Sequence, residues 1–139
     1  MDNNQKLIRN FGEIGHTMRY LSDGKAGQKR ILILLLERGT MTQRELTQRL
    51  GVQPGTASEV IGKLESAGLI RRVSSDSDRR TTDIQLTESG AEQASMARQA
   101  REQRHREMFS CLSDKEKEEL LALLETINTD WDKRYREVK

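Results

Sequence analysis

The chain has 139 residues, with 34% apolar and 33% charged residues, a composition poor in apolar material. Such a length supports one domain with a modest core and argues against a multi-domain enzyme. Aromatic residues make up 4% and proline occurs once, which argues against a β-sandwich or barrel and favours helices. Since 24 basic residues face 22 acidic ones, for a net charge of +2, charge alone does not indicate a nucleic-acid partner.

Cysteine usage and hydropathy give expectations about the compartment. Cys111 is the only cysteine of the sequence, which excludes an intrachain disulfide and a multi-cysteine zinc site. Residues 1–30 contain no apolar signal segment, and no apolar run approaches the roughly eighteen residues of a membrane span. We therefore expect a cytoplasmic protein with no membrane partner and no cofactor.

The first two predicted elements are helices. Apolar residues recur at 4-3-4-3 spacing from Leu7 to Leu21, which lays one seam along an amphipathic first helix. Gly24 and Gly27 predict a break after it. Residues 28–38 then predict a second, buried helix that ends before Gly39.

Two short helices separated by a tight turn follow. Thr42 and Glu45 predict a capping box at the start of the third helix, which ends at Gly51. Pro54 is typical of a first helical turn and predicts the start of the fourth helix. The apolar face of this helix consists of Ala57, Val60, Ile61 and Leu64. Its other face is polar or small, and consists of Thr56, Ser58, Glu59, Gly62 and Lys63.

The remaining elements are a hairpin and two long helices. Residues 69–73 and 83–86 predict two short strands with a long polar tip between them. Thr87 predicts the cap of a fifth helix, and Ser113 with Glu116 predicts a capping box for a sixth. The fold class is therefore mainly α, with six helices and a small β-hairpin wing.

This order of elements is that of a winged helix-turn-helix, whose second helix enters the major groove of DNA. Slim polar side chains near the start of that helix can approach base edges and phosphates, as Gln53, Thr56 and Ser58 can. A merely solvated polar face is the alternative for an arbitrary amphipathic helix. The hairpin that follows favours the DNA-binding interpretation.

Four segments resemble the MarR family of winged helix-turn-helix transcriptional regulators in order and spacing. They are MTQREL with LGV at 41–52, LESAGLI at 64–70, DRR at 78–80 and LTESG at 86–90. The resemblance is strongest over residues 27–90. It implies a homodimer that binds a pseudo-palindromic operator on double-stranded DNA, with repression as the commoner role.

The resemblance also implies a division of the chain and a set of DNA contacts. Residues 1–25 would form an N-terminal dimerisation helix, 26–87 the winged helix-turn-helix domain, and 88–139 the C-terminal linker and dimerisation helices. In the wing, one arginine enters the minor groove while Asp78 braces an arginine. The predicted DNA contacts are Thr42, Gln53, Gly55, Thr56, Ser58, Glu59, Lys63, Arg71, Asp78, Arg79 and Arg80.

Two apolar seams at opposite ends of the chain predict the dimer interface. On a small chain with few apolar residues, such seams need a covering partner. The alternative is that they pack on each other within one chain. The interface residues are Leu7, Phe11, Ile14, Leu120, Leu124, Ile127 and Trp131.

Glu59 departs from the family pattern, because many members have a basic residue at this place. A carboxylate there repels phosphate. It could accept a hydrogen bond from a cytosine amino group and so favour a G·C pair. It could equally pair with Lys63, four residues on, and do nothing to DNA.

The family further implies a small aromatic or anionic effector, bound between the dimer helices and the winged domain. Four residues of the first helix are available to it, although they could equally be solvated: Arg9, His16, Arg19 and Tyr20. Two alternative functions are a redox-sensing regulator that uses the Cys111 thiol and a winged-helix module for protein contacts. For Cys111, a small buried hydrophobe is the ordinary role.

Motifs of enzymes and metal sites are missing from the sequence. It contains no G-x-S-x-G elbow, no Walker loop and no H-E-x-x-H pair. His16 and His105 lack the paired spacing of metal ligands, so neither predicts a metal site. We therefore expect a protein that is not an enzyme.

Overall fold

The computed structural model of the chain describes residues 1–21, 26–74 and 81–137, without the side chain of Ala26. The chain divides into two compact units, Met1–Arg98 and Gln99–Lys139. The elements are α1 (Asn3–Leu21), α2 (Ala26–Arg38), β1 (Met41–Thr42), α3 (Gln43–Leu50), α4 (Pro54–Ser66), β2 (Ile70–Ser74), β3 (Thr82–Leu86), α5 (Glu88–Met108), α6 (Asp114–Trp131) and a π-helix (Asp132–Arg136). Within these ranges the predicted class, mainly α with six α-helices and a small antiparallel sheet, is confirmed.

Local signals set the ends of the helix-turn-helix pair. The Thr42 hydroxyl accepts a hydrogen bond from the Glu45 amide at 3.1 Å, which caps α3. Gly51 closes α3 with a left-handed φ of 67°, a conformation that suits glycine. Pro54 stands in the first turn of α4, where no helical N–H is required. The predicted helix boundaries are confirmed because each depends on adjacent residues.

The sheet is antiparallel, with strand order β1-β3-β2. The two predicted strands lie within one residue of β2 and β3. Strand β1 was not predicted, because a pair of residues carries no periodicity. Its Met41 pairs with Ile84, and across β3 the same Ile84 pairs with Arg72. The predicted tip of the hairpin comprises residues 74–82, of which residues 75–80 lie outside the described residues.

The core of the first unit lies where α2, α3 and α4 meet the sheet. Its largest fully buried side chains are Ile31, Leu46, Ile61, Leu64 and Ile84. Each such side chain contributes about 1.5–3 kcal/mol by leaving water. Among the described residues no polar or charged residue is buried, so the interior between the helices and the sheet is held by apolar contacts.

The start of α5 is fastened to the turn before β2. The Thr87 hydroxyl donates to the Gly68 carbonyl at 2.7 Å and accepts from the Gly90 amide at 3.0 Å. The Thr87 amide donates to the Leu69 carbonyl at 3.1 Å. Thr87 therefore caps α5, as predicted, and also ties that helix to the helix-turn-helix.

In the second unit, α6 begins with a complete capping box. The Ser113 hydroxyl accepts from the Glu116 amide at 3.1 Å, and the Glu116 carboxylate accepts from the Ser113 amide at 2.9 Å. The predicted capping box is confirmed. No helix within the described ranges is long and apolar enough to cross a membrane.

Candidate DNA-binding site

The polar face of α4 is open to solvent. Gln53, Gly55, Thr56 and Ser58 are all exposed, while Ala57 beneath them is fully buried. The first amides of an α-helix have no partner within it, and the Gln53 side chain does not cap this one. Small side chains and outward-facing amides therefore share one helix end, an arrangement that suits phosphate and base edges.

Glu59 and Lys63 form an exposed pair on α4, with Nζ and Oε1 3.6 Å apart. Their side chains are 60% exposed for Lys63 and 69% for Glu59. An exposed pair one helical turn apart is worth about 0.3–0.5 kcal/mol, which is too little to hold the carboxylate away from a ligand. Both interpretations of Glu59 thus stay predictions.

The wing strand β2 carries two arginines on opposite faces. Successive side chains of a strand alternate, so Arg72 shares the face of the buried Ile70, while Arg71 points to the other side. Arg71 is exposed and stays a predicted DNA contact. Asp78, Arg79 and Arg80 lie outside the described residues, and their assignment to the wing tip also stays a prediction.

Side chains from β2, α3 and α4 meet in a polar network that sequence reasoning missed. Arg72 Nε lies 3.3 Å from Glu65 Oε1, and its Nη1 donates to Gln43 Oε1 at 3.4 Å. Gln43 Nε2 in turn donates to Ser58 Oγ at 3.0 Å. Ser58, a predicted DNA contact, is thus held by a neighbouring helix. Strand alternation could have placed Arg72 on the helix side, but its partners are distant in sequence.

Thr42 was also predicted to contact DNA, and it is half-buried beside the start of α3. Its hydroxyl oxygen is engaged as the helix cap. Thr42 therefore has a structural role as the cap of α3. Its contact with DNA stays a prediction.

The residues of the predicted dimer seams are exposed or half-buried on the two end helices. Neither α1 nor α6 has a buried residue. In α1, Leu7 is 54% exposed and Ile14 is 55% exposed. In the second unit an apolar groove of about 180 Å³ runs along α6, and it is lined by Phe109, Leu112, Lys117, Leu120, Leu121 and Leu124.

Cys111 is exposed, so the expectation of a buried cysteine is wrong. The residue follows the end of α5, in the short connection to α6, where no packing layer covers it. Among the described residues no group of three His, Cys, Asp or Glu side chains could hold a metal ion, His16 and His105 included.

The four residues predicted to line an effector cleft are exposed on α1. Arg9 Nε lies 3.4 Å from the Glu13 carboxylate, one helical turn away. Tyr20 is 82% exposed. These residues stay predicted, with His16 and Arg19, as candidate effector contacts.

Comparison with known proteins agrees with the geometry of the site. The profile of the MarR family matches residues 26–82. The chain is 31% identical to an uncharacterised HTH-type transcriptional regulator of Bacillus subtilis, YwhA, over 94 residues, which are 68% of each chain.

Solved structures share the fold. A MarR protein from Peptoclostridium difficile superposes with a TM-score of 0.76 at 23% identity, covering 100% of this chain and 94% of the other. A mutant MarR from E. coli, complexed with operator DNA, superposes with a TM-score of 0.72 at 24% identity, covering 91% of this chain and 99% of the other.

A three-helix core on a small antiparallel sheet, with a polar second helix and a basic wing strand, defines a winged helix-turn-helix protein. With the matches above, the chain belongs to the MarR family of DNA-binding transcriptional regulators. This family consists of regulators rather than enzymes, in agreement with the motifs missing from the sequence.

Proposed function

We propose that the chain is a sequence-specific regulator that binds a pseudo-palindromic operator as a homodimer and represses transcription there. The observation that carries this proposal is the exposed, small and polar start of α4 beside the basic strand β2. A major groove admits an α-helix, and direct base readout requires polar side chains that can reach base edges. In this chain Gln53 and Thr56 supply them.

The local charge of the proposed site is modest. Residues 39–86 contain seven basic and six acidic residues, for a net charge of +1. Four of the seven basic residues fall between positions 71 and 80, in the wing. Phosphate contacts supply most of the sequence-independent affinity, so the wing is the proposed source of that affinity and α4 the proposed source of specificity.

The apolar faces of α1 and α6 support the homodimer. A monomer seldom exposes a large contiguous apolar surface, and these two helices have no buried residue. A two-fold interface uses the same surface on both copies. The apolar faces of α1 and α6 in one copy can therefore pack against the same helices of a second copy. We accordingly propose residues 1–25 and 88–139 as the dimerisation parts and 26–87 as the DNA-binding domain.

Release from DNA by a small aromatic or anionic ligand completes the proposal. Arg9, His16, Arg19 and Tyr20 would recognise a carboxylate or a ring through charge and stacking. A panel of aromatic carboxylates, titrated into the protein–DNA complex, tests this part. We expect one of them to dissociate the complex, and loss of that response in Arg19→Gln. A response that survives this substitution would place the ligand elsewhere.

Selection of duplexes from a randomised DNA pool tests the proposed function. We expect the wild-type chain to enrich an inverted repeat whose half-sites are centred about one helical turn apart, roughly 10 base pairs. A Gln53→Ala, Thr56→Ala variant should bind the enriched duplex no better than a scrambled one. Enrichment of no sequence, or of a single unrepeated site, would contradict the proposal.

A further inference from the structure

A charged residue occupies a position of the sheet that faces the helices. The register places Met41, Ile84 and Arg72 in one row across the three strands. Residues opposite one another in a row share a face of the sheet. Met41 and Ile84 are buried in the core. Arg72 is therefore the charged third member of a row whose other two members are apolar and buried.

The guanidinium of Arg72 connects three elements. It lies 3.3 Å from the Glu65 carboxylate of α4, and it donates to the Gln43 side-chain oxygen of α3 at 3.4 Å. The Arg72 side chain is 34% exposed, so it lies at the surface of the unit, partly covered by the helices. Because the cation takes the oxygen of the Gln43 amide, the NH₂ group of that amide is directed to Ser58.

The same network sets the orientation of α4. Ser58 and Glu65 are seven residues apart, which places them on one stripe of the helix, two turns from each other. Glu65 is held at the end of α4, and Ser58 is held near its start. The Ser58 hydroxyl accepts from Gln43 at 3.0 Å, so its own O–H is left to donate outward.

We propose that Arg72 is a positioning residue for DNA binding: through Glu65 and through the Gln43–Ser58 hydrogen bond, it fixes the start of α4 relative to the wing. This inference rests on the proposed function. It assigns Arg72 and Glu65 to specific DNA binding although neither needs to touch DNA, and it separates Arg72 from Arg71, which is exposed on the other face of β2.

Glu65 gives the sharpest test, because charge and positioning predict opposite results. Glu65→Gln removes a negative charge, so general electrostatics predicts tighter binding to a polyanion. If the carboxylate holds Arg72 and α4, binding weakens instead. We expect Glu65→Gln to bind the duplex selected by the wild-type chain about tenfold more weakly, a size typical of coupling within one hydrogen-bond network. Equal or tighter binding would overturn the proposal.

The salt dependence of binding distinguishes positioning from phosphate contact. A residue that neutralises a phosphate lowers the slope of log K against log salt by about one when it is removed. We expect Arg72→Met to weaken binding about tenfold with an unchanged slope. Arg71→Met is the matched control for charge, and it should lower the slope. A lower slope in Arg72→Met would make it a phosphate contact and overturn the proposal.

Two further variants test whether Arg72 and Glu65 act as one network, and thermal unfolding checks that each variant is folded. Arg72→Lys keeps the charge but not the planar fork that reaches two acceptors, so we expect it to recover only part of the affinity. Recovery of full affinity would contradict the proposal. The double variant Arg72→Met, Glu65→Gln should bind no more weakly than Arg72→Met alone, because one network is already broken. Thermal unfolding should change little in each variant, since exposed ion pairs contribute little stability.

The outcomes of these experiments distinguish a failure of the inference from a failure of the proposed function. If the wild-type chain selects no DNA sequence, the proposed function is wrong, and the inference is wrong with it. If the wild-type chain selects a duplex and Glu65→Gln and Arg72→Met bind that duplex as the wild type does, only the inference is wrong.

Discussion

Gly90 faces the backbone carbonyl of Leu69 so closely that a methyl group in place of its hydrogen would overlap the carbonyl oxygen. The same carbonyl accepts the Thr87 amide at 3.1 Å. The motif at residues 86–90 thus has a physical reason. Thr87 bonds to the turn before β2, and Gly90 allows α5 to lie directly on that turn. This junction connects the helix-turn-helix to the long helix that follows it.

Substitution of Gly90 should therefore destabilise the first unit. We expect Gly90→Ala to lower the free energy of unfolding by about 1–3 kcal/mol, the usual range for an overpacked site, because backbone atoms at Leu69 must move. Urea denaturation measures this change. Gly62→Ala in α4 is the matched control, since no atom lies within 4 Å of the added carbon, and helix propensity should stabilise it by about 0.5–1 kcal/mol. Equal stabilities of Gly90→Ala and the wild type would contradict the close approach.

Glu59 should read a base pair rather than only repel DNA. Its side chain is 69% exposed and its pairing with Lys63 is weak, so the carboxylate is available to accept a hydrogen bond from a cytosine amino group. We expect Glu59→Gln to alter the preference at one base pair of each half-site by about 1–3 kcal/mol. Competition binding with operators changed one pair at a time measures this. Lys63→Gln, the control, should keep the preference. A uniform change in affinity at every position would show that Glu59 reads no base.

The predicted wing tip should supply minor-groove binding. Arg80 lies outside the described residues, and its role comes from the sequence, where it follows Asp78 and Arg79. We expect Arg80→Ala to weaken operator binding by about 1–3 kcal/mol and to flatten the salt dependence. Lys115→Ala removes the same charge from α6 and is the control. If Arg80→Ala leaves both the affinity and its salt dependence unchanged, Arg80 is not a DNA-binding residue of the wing tip.

The capping box of α6 should make the stability of that helix depend on pH. Hydrogen bonds from the Ser113 backbone amide and hydroxyl lower the pKa of Glu116 below its ordinary value. The ionised carboxylate thus stabilises the folded state above the pKa of the unfolded chain. That contribution disappears as the pH falls through the lower, folded pKa.

An NMR titration of the Glu116 side chain checks this expectation. Its folded pKa should lie below the value measured in urea, and Ser113→Ala should reduce the difference. Glu116→Gln keeps an acceptor without a titrating group, so its unfolding should lack this part of the pH dependence. Identical Glu116 titrations in the folded and the unfolded chain would contradict the capping interaction.

The sequence predicted most of the helix-turn-helix because its boundaries are local. Thr42, Gly51 and Pro54 each act on neighbouring residues, and burial of Ala57 and Ile61 follows from helical periodicity. Strand β1 was missed because it exists only through pairing with β3, which follows some forty residues later.

The candidate site was predicted only in part, for a similar reason. Exposure of Thr56 follows from the face of α4 it occupies, and Gln53 is exposed just before that helix begins. The contacts of Arg72 with Glu65 and Gln43 join residues from three elements, and no local pattern indicates them. The burial of Cys111 was predicted wrongly, since the connection between α5 and α6 is open to solvent.

Sedimentation equilibrium of the chain, alone and with the selected duplex, tests the central claim most directly. We expect the free protein to have twice the 16.0 kDa mass of one chain at micromolar concentration, and the complex to contain two chains per duplex. Leu124→Glu, in the apolar groove of α6, should shift the free protein towards the monomer and weaken DNA binding. A stable wild-type monomer that binds the duplex one chain at a time would contradict a dimeric operator-binding regulator.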